Sequence, residues 1–261
     1  IVHLHNTHGY YFHLPILKRL PEETKVVWTP HVMWTMTAHC GSSRSETPNE
    51  NGFYSCPAQF EYEPIFLPRT RWLEQTKKII LSGLPIRFVT PSLWLKNTCS
   101  ASHLKDRTVQ VIPNAGKDII FRNTKEKKDA IRTALGLPLG KPILLFIANA
   151  FSDPVKGSET VARLLRDERL SAMQFVAIGN GSFPAYPNLK QISYTRDASL
   201  LAQYYSAADI FIHPATVDNF PTVIIESLLS GTPVVAYRIG GIPEQIQGGT
   251  TGALATPYVY E

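Results

Sequence analysis

The chain has 261 residues, of which 44% are hydrophobic and 18% charged, with a formal net charge of +5. This is a globular composition with core material for one large domain or two of ordinary size, and no apolar run reaches the roughly 20 residues of a membrane span. The positive charge suits nucleotide phosphates, a lipid-phosphate acceptor or an anionic membrane face, whereas basic residues this dispersed do not point to nucleic acid.

Ile1 to Phe12 reads as a strand ending at a loop, with His3, His5 and His8 close together. No acidic or Cys ligand accompanies these three. Polar residues lining a cleft at a strand's carboxyl end fit them better than a metal site. HLPILKRLP predicts a helix ended by Pro21, and Val26 to Thr29 a strand that runs directly into His31. His39, Cys40 and Cys56 enclose GSSRSETPNENGFYS, a turn-rich stretch expected to be a flexible loop. They lack a fourth ligand and the compact spacing of a zinc site. Together with Cys99 the cysteines are odd in number and form no CxxC, which reads as reduced thiols of a cytoplasmic enzyme. RTRWLEQTKKIILSG predicts an amphipathic helix with Trp72, Leu73, Thr76, Ile79 and Ile80 toward the core. FVTPSLWLKNTC predicts a strand, a cap at Ser92 and a helix, and TVQVIPNAGKDIIF a further strand. The charged run RNTKEKKDAIRTALGLPLGKP is the expected domain boundary, with KEKKD as a solvated linker face and a helix around Ala130 to Leu135.

KPILLFIANAF opens the second half as a buried strand, and SDPVKGSETVARLL follows as a loop feeding a helix, with Lys156 and Gly157 at the transition. MQFVAIGNGS predicts a strand and a Gly-rich turn at Gly179. No GxGxxG occurs, which disfavours a dinucleotide-dependent dehydrogenase. LKQISYTRD is a strand and a loop bearing Tyr194, Thr195 and Arg196. ASLLAQYYSAADIFIHPAT predicts a helix and a buried strand ended by His213, read as a structural histidine. GALATPYVY reads as a last strand. Strand and helix alternate throughout, so both halves are expected to be parallel α/β.

The chain is organised around Asp218 to Glu244, DNFPTVIIESLLSGTPVVAYRIGGIPE, which reads as loop, helix, turn, strand and Gly-rich loop. Asp218, Asn219 and Pro221 are helix-start residues, and Ser230-Gly231 stops the helix. Val234 to Tyr237 is the short apolar run of a buried parallel strand. Glu226 interrupts the apolar helix, where a carboxylate is costly to bury without donors. Two readings stand. Asp218 is an N-cap and Glu226 a snorkelling surface acid, or both are ligand groups at a helix start whose free N–H groups and positive dipole end attract anions.

The Asp218-x7-Glu226 spacing, followed by SGTPVV and GG, resembles the signature of family 4 glycosyltransferases. That family has the GT-B fold and usually carries Glu at both acidic positions. The resemblance covers nearly the whole chain and is specific from Asn149 to Glu244. It implies an α/β chain of two Rossmann-like domains with parallel sheets facing across a cleft. Residues 1–138 would be a partial, acceptor-side N-terminal domain, and 139–261 a partial nucleotide-sugar-binding domain. The N-terminal domain would be incomplete and the chain truncated at both ends, as the start at Ile1 inside an apolar run also indicates.

The resemblance implies roles residue by residue. Glu226 would hold the ribose hydroxyls, and Asp218 would contact the donor sugar. The backbone of Asn219, Phe220, Pro221 and Thr222 would meet sugar and phosphate oxygens. Lys156, beside Gly157, would contact the diphosphate; the partner Arg of the family falls at Ala150 and is absent here. Gly179 would border the base, and Arg196 would line the base or phosphate pocket. WTPHVMW resembles the string that places a histidine against the donor sugar, so His31 would be catalytic, although it also reads as a loop residue satisfied by backbone. The implied function is a retaining transfer without metal or cofactor. A sugar would move from a nucleotide diphosphate sugar to a glycan or lipid-linked acceptor in polysaccharide biosynthesis. A nucleotide-sugar epimerase on the same fold, or a catalytically impaired nucleotide-sugar-binding protein, are the alternatives. The expected location is cytoplasmic, with peripheral contact to an anionic membrane.

Overall fold

The computed structural model describes residues 1–8, 11–43, 45–56, 69–121 and 128–257. These form two compact units, Ile1–Pro113 and Asn114–Glu261. In the first, β1 (Val2–His5), β2 (Val26–Thr29), β3 (Ile86–Thr90) and β4 (Val109–Val111) make a parallel sheet in the order β1-β2-β3-β4. β1 and β2 run in register from Val2 opposite Val26 to His5 opposite Thr29, so their carboxyl ends are level. Helices α1 (Thr70–Ser82) and α2 (Leu93–Ala101) complete the unit. Trp28 of β2 stacks on Phe88 of β3, with ring centroids 6.0 Å apart, in a core that also takes Met36, Leu81, Leu95 and Leu104. Ser92 caps α2 as expected, its Oγ accepting the Leu95 N–H at 3.1 Å.

Three expectations for this unit change. HLPILKRLP forms a 3-10 helix, Leu14–Arg19, rather than an α-helix. The buried face of α1 carries Glu74, Lys77, Ile80 and Leu81, while Trp72 and Ile79 are 57% and 63% exposed. The cause is polar. Lys77 Nζ donates to Trp34 O at 2.6 Å and Thr37 O at 3.0 Å and lies 3.5 Å above the Trp34 ring. Those carbonyls belong to a short 3-10 helix, Met33–Met36, and its C-cap, and need donors, so the lysine is drawn inward and the helix rotates with it. The stretch after Cys40 is anchored rather than a loose loop. Phe53 is fully buried and stacks on His103 at 4.2 Å, and Thr37 bridges Tyr54.

The second unit holds β5 (Ile143–Ala150), β6 (Gln174–Asn180), β7 (Leu189–Ser193), β8 (Ile210–His213), β9 (Val234–Tyr237) and β10 (Gly252–Ala255). All pair in parallel, in the order β10-β9-β8-β5-β6-β7. Numbered from β5, this is the doubly wound Rossmann order. Helices α3 (Lys128–Ala134), α5 (Ala198–Ala207) and α6 (Thr222–Leu229) supply residues to the core on one face of the sheet, and α4 (Ser158–Arg166) to the other.

The division between units falls at Pro113, earlier than the expected 138/139 boundary. The stretch after it belongs to the second unit because Asp209 collects its charges. Arg132 Nη2 reaches Asp209 Oδ2 at 2.6 Å, Lys128 Nζ reaches Oδ1 at 3.0 Å, and the Ile143 N–H donates at 2.7 Å. Most of KEKKD and the YVY that ends the last predicted strand lie outside the described residues. Among the described residues no helix is long and apolar enough to cross a membrane.

Candidate functional site

In the second unit, chain direction across the sheet reverses between β5 and β8. β6 and β7 follow on one side of β5, and β8 to β10 on the other. Helices leave to opposite faces at such a point and open a crevice at the carboxyl ends of the strands. A pocket of about 470 Å³ lies there. Ile147, Ala148 and Asn149 enter it from the end of β5, His213 from the end of β8, and Pro221, Thr222, Val223 and Glu226 from the start of α6. Tyr194, Thr195 and Arg196 enter from the segment after β7, and Lys117 and Phe121 from the segment that opens the unit.

The polar centre of this pocket is Asp218. Its Oδ2 lies 3.4 Å from Lys156 Nζ and 3.5 Å from His213 Nε2, the latter at the limit of a hydrogen bond. Its Oδ1 accepts the Asn219 N–H at 2.9 Å. Burial works to raise the Asp218 pKa, but His213 and Lys156 outweigh it and hold the carboxyl below its ordinary value. The acid therefore stays ionised, and Lys156 is aimed into the pocket. Helix α6 begins at Pro221 with no side-chain cap, so its first-turn amides are open to a ligand.

Two glycines make this geometry possible. Gly157 has φ 79°, and a Cβ there would lie 2.0 Å from Pro214 O. Only glycine lets the Lys156 turn rest against the end of β8, where Thr216 N also donates to Val155 O at 2.9 Å. Gly240 has φ 50°, and a Cβ there would lie 1.9 Å from Asp218 O. The Gly-Gly loop after β9 thus closes on the acidic loop, and Gly241 N donates to Asn219 O at 2.8 Å. Gly157→Ala is expected to destabilise the second unit by about 2–5 kcal/mol, from left-handed backbone strain plus overlap with the Pro214 carbonyl. Urea unfolding followed by circular dichroism checks this; an unchanged midpoint would show that the turn relaxes freely.

Glu226 lies one turn into α6, half-buried, and accepts a hydrogen bond from Tyr205 OH at 3.3 Å. Burial raises its pKa, partly opposed by Tyr205 and by Lys117. Lys117 is placed there by Gly116, whose missing Cβ would otherwise lie 2.4 Å from Leu229 Cδ1 and 2.7 Å from Ile225 Cγ2. The segment thereby lies flat on α6. A carboxylate with one neutral donor and one cation nearby keeps accepting capacity for further hydroxyls.

The other expected residues fall around this centre. Pro221, Thr222 and Arg196 line the pocket. Asn219 is buried with its backbone engaged, and Phe220 O accepts from Asn114 Nδ2 at 3.2 Å. Gly157 lies beneath, against Pro214. Gly179 ends the buried part of β6, where a Cβ would lie 2.4 Å from Ala148 O; its neighbour Ile178 is the lining residue. His31 belongs to the first unit. Its Nε2 lies 2.9 Å from His5 Nδ1, and the two rings stack at 5.2 Å. His3 packs 4.1 Å from His5 and reaches Thr29 Oγ1 at 2.9 Å. Burial, then His5 and His3, lower the His31 pKa, so the imidazole is neutral at neutral pH.

Sequence reasoning missed three residues of the pocket region. His213 was read as structural but touches Asp218. Lys117 and Tyr205 were given no role, because neither their spacing nor their residue type ties them to Glu226 before the chain folds. Among the described residues no group of three His, Cys, Asp or Glu side chains is placed to hold a metal.

Residues 141–259 match the family model described as "Glycosyl transferases group 1". The putative colanic acid biosynthesis glycosyl transferase WcaC of Escherichia coli is 23% identical over 96% of this chain and 63% of its own length. The D-inositol 3-phosphate glycosyltransferase of Corynebacterium diphtheriae is 28% identical over 57% of this chain and 39% of its own. The chain thus spans between about two fifths and two thirds of these relatives. Among solved structures, sucrose-phosphate synthase of Thermosynechococcus elongatus aligns with a TM-score of 0.68 at 20% identity, covering 94% of this chain and 57% of that one. HepE of Anabaena, solved in complex with UDP, aligns with a TM-score of 0.63 at 16% identity, covering 94% of this chain and 60% of that one. The match to the group 1 glycosyl transferases thus falls on the second unit, and the solved structures show that the chain has the GT-B fold.

Proposed function

We propose that the protein transfers a sugar, with retention of configuration, from a nucleotide diphosphate sugar to a glycan or lipid-linked acceptor in polysaccharide or glycoconjugate biosynthesis. The observation that carries this reading is the join of Lys156, Asp218 and His213 beside the uncapped start of α6, with Glu226 in the same pocket. One end of that pocket suits a diphosphate, and the other a ribose. Lys156 and the α6 amides offset the charge that grows on the leaving diphosphate, in a preorganised site. Asp218 accepts from the sugar hydroxyls. His31 hydrogen-bonds the sugar as its bond to the diphosphate breaks. The UDP and UDP-glucose held by the HepE structures support the ligand class. The net charge of +5 suits work at the anionic, cytoplasmic face of a membrane.

The test is a screen of the complete protein against nucleotide diphosphate sugars and acceptors, with the anomeric configuration of the product read by NMR. An α-linked donor should give an α-linked product. An inverted product overturns retention. An epimer or free sugar formed without acceptor redirects the reading to an epimerase, and binding without turnover to a binding protein.

Glu226→Ala is expected to weaken nucleotide diphosphate binding by about 1.5–3 kcal/mol, roughly 10- to 150-fold, because the ribose hydroxyls lose a charged acceptor. The ionised carboxylate is the accepting form, and its pKa is raised. Wild-type affinity should therefore fall on acidification, from a pH above the ordinary glutamate value of about 4.3. Calorimetry across that range checks both; equal affinity for mutant and wild type removes Glu226 from the ribose. Transfer is also expected to survive a chelator, since Lys156 and the helix amides supply the positive charge. Loss of turnover in EDTA, restored by a divalent cation, would assign that charge to a metal.

A further inference from the structure

Cys40 and Cys56 come from different segments of the first unit, and the structure brings them together. Thr37 bridges Tyr54 in parallel, and Tyr54 N donates to Met36 O at 2.8 Å. On the far side, Ser43 Oγ donates to Ser55 O at 2.7 Å. Pinned at both ends, the two segments run side by side through the cysteines. The Cys40 N–H donates to Cys56 Sγ at 3.3 Å, while Cys40 Sγ donates to Ser42 O at 2.8 Å. Cys40 is 3% exposed, whereas Cys56 is half-buried and open to small reagents. Hydrogen bonds from Cys40 and from the His39 and Cys40 amides, with the nearby His39 side chain, outweigh burial and bring the Cys56 thiol down to about 5. The hydrogen bond to Cys56 and burial push the Cys40 thiol up. Cys99, fully buried, is pushed up to about 12. One half-buried thiolate beside one protonated, shielded thiol is an asymmetric pair, with an attacking and a resolving member.

We infer that Cys40 and Cys56 are a redox-active dithiol that closes to a disulfide when a hydroperoxide is present. The Cys56 thiolate attacks the outer peroxide oxygen. An S–O bond forms, the O–O bond breaks, and the departing oxygen takes a proton and leaves as water or alcohol. Cys40 sulfur, giving up its proton, then displaces the oxygen from Cys56. The S–S bond forms, the S–O bond breaks, and water leaves. Two electrons pass from the dithiol to the peroxide. The disulfide ties the two ends of the 40–56 stretch into a ring, and a thiol reductant reopens it.

The experiment treats the reduced, folded chain with hydrogen peroxide, alkylates the remaining thiols, and maps the digest by mass spectrometry. The expected result is an intact mass lower by two hydrogens, a peptide pair joined through Cys40 and Cys56 that separates in reductant, and a free Cys99. Cys40→Ser should stop at the sulfenic acid of Cys56, trapped by dimedone, and Cys56→Ser should resist the peroxide. Native-state alkylation of the untreated chain at pH 6 should mark Cys56 before Cys40, with Cys99 unmarked as the sign of an intact fold. No joined peptide in the wild type, no dimedone adduct in Cys40→Ser, or links that involve Cys99 as often as Cys40 would each overturn the pair. So would a zinc ion that must be stripped before either thiol reacts.

Discussion

Lys156→Ala is expected to weaken nucleotide diphosphate binding by about 2–4 kcal/mol, roughly 30- to 1,000-fold, and to leave binding of the bare nucleoside nearly unchanged. The ammonium reaches the pocket from a turn that glycine alone can make, and its one described ion pair is Asp218 at 3.4 Å. At that length the pair restrains Lys156 without satisfying it, since an ammonium has three donors. A diphosphate offers shorter, doubly charged partners. Where the resembled family places a second cation, this chain has Ala150. Removing the lysine also strips Asp218 of its cation and raises the Asp218 pKa toward its ordinary value. Calorimetry with the nucleoside and its diphosphate, on a mutant of unchanged circular dichroism, separates the cases. Equal losses for both ligands would place Lys156 in folding or base recognition instead.

His31→Ala is expected to lower kcat by about 100-fold or more while the nucleotide diphosphate Kd moves little. The nucleotide contacts proposed above belong to Lys156 and Glu226 of the second unit, whereas His31 belongs to the first. Its imidazole is oriented by His5 at 2.9 Å and held neutral by burial and by its two histidine neighbours. A neutral ring can hydrogen-bond a sugar hydroxyl without a fixed charge, and that contact counts in the rate only as far as it tightens when the bond breaks. Because the His31 pKa lies below its usual value near 6.5, the acid limb of kcat should fall below that pH as well. Steady-state kinetics of the complete protein across pH, with Kd measured separately, checks both statements. A mutant with near-normal kcat returns His31 to a structural role and turns attention to His5 and His8.

Periodicity and local chemistry alone determined most of the elements. The apolar runs that became β2, β5, β6, β8 and β9, the Ser92 cap and the Ser230-Gly231 stop are short-range matters, settled by alternation, propensity and turn residues. The family resemblance added Asp218, Glu226, Lys156 and Gly157, because a binding loop needs particular residues at a particular spacing. The rest depended on partners distant in sequence. Which face of α1 is buried was decided by the Trp34 and Thr37 carbonyls, which draw Lys77 inward against its hydropathy. The boundary moved to Pro113 because Asp209 binds charges from residues nearly eighty positions earlier. His213, Lys117 and Tyr205 entered the pocket region only when parallel strands and helix packing set them beside Asp218 and Glu226. Cys40 and Cys56 met through the Thr37–Tyr54 bridge and the Ser43–Ser55 hydrogen bond on either side of them. A sequence displays its local preferences, but a charge or thiol acquires its function from neighbours that the chain supplies only after it has folded.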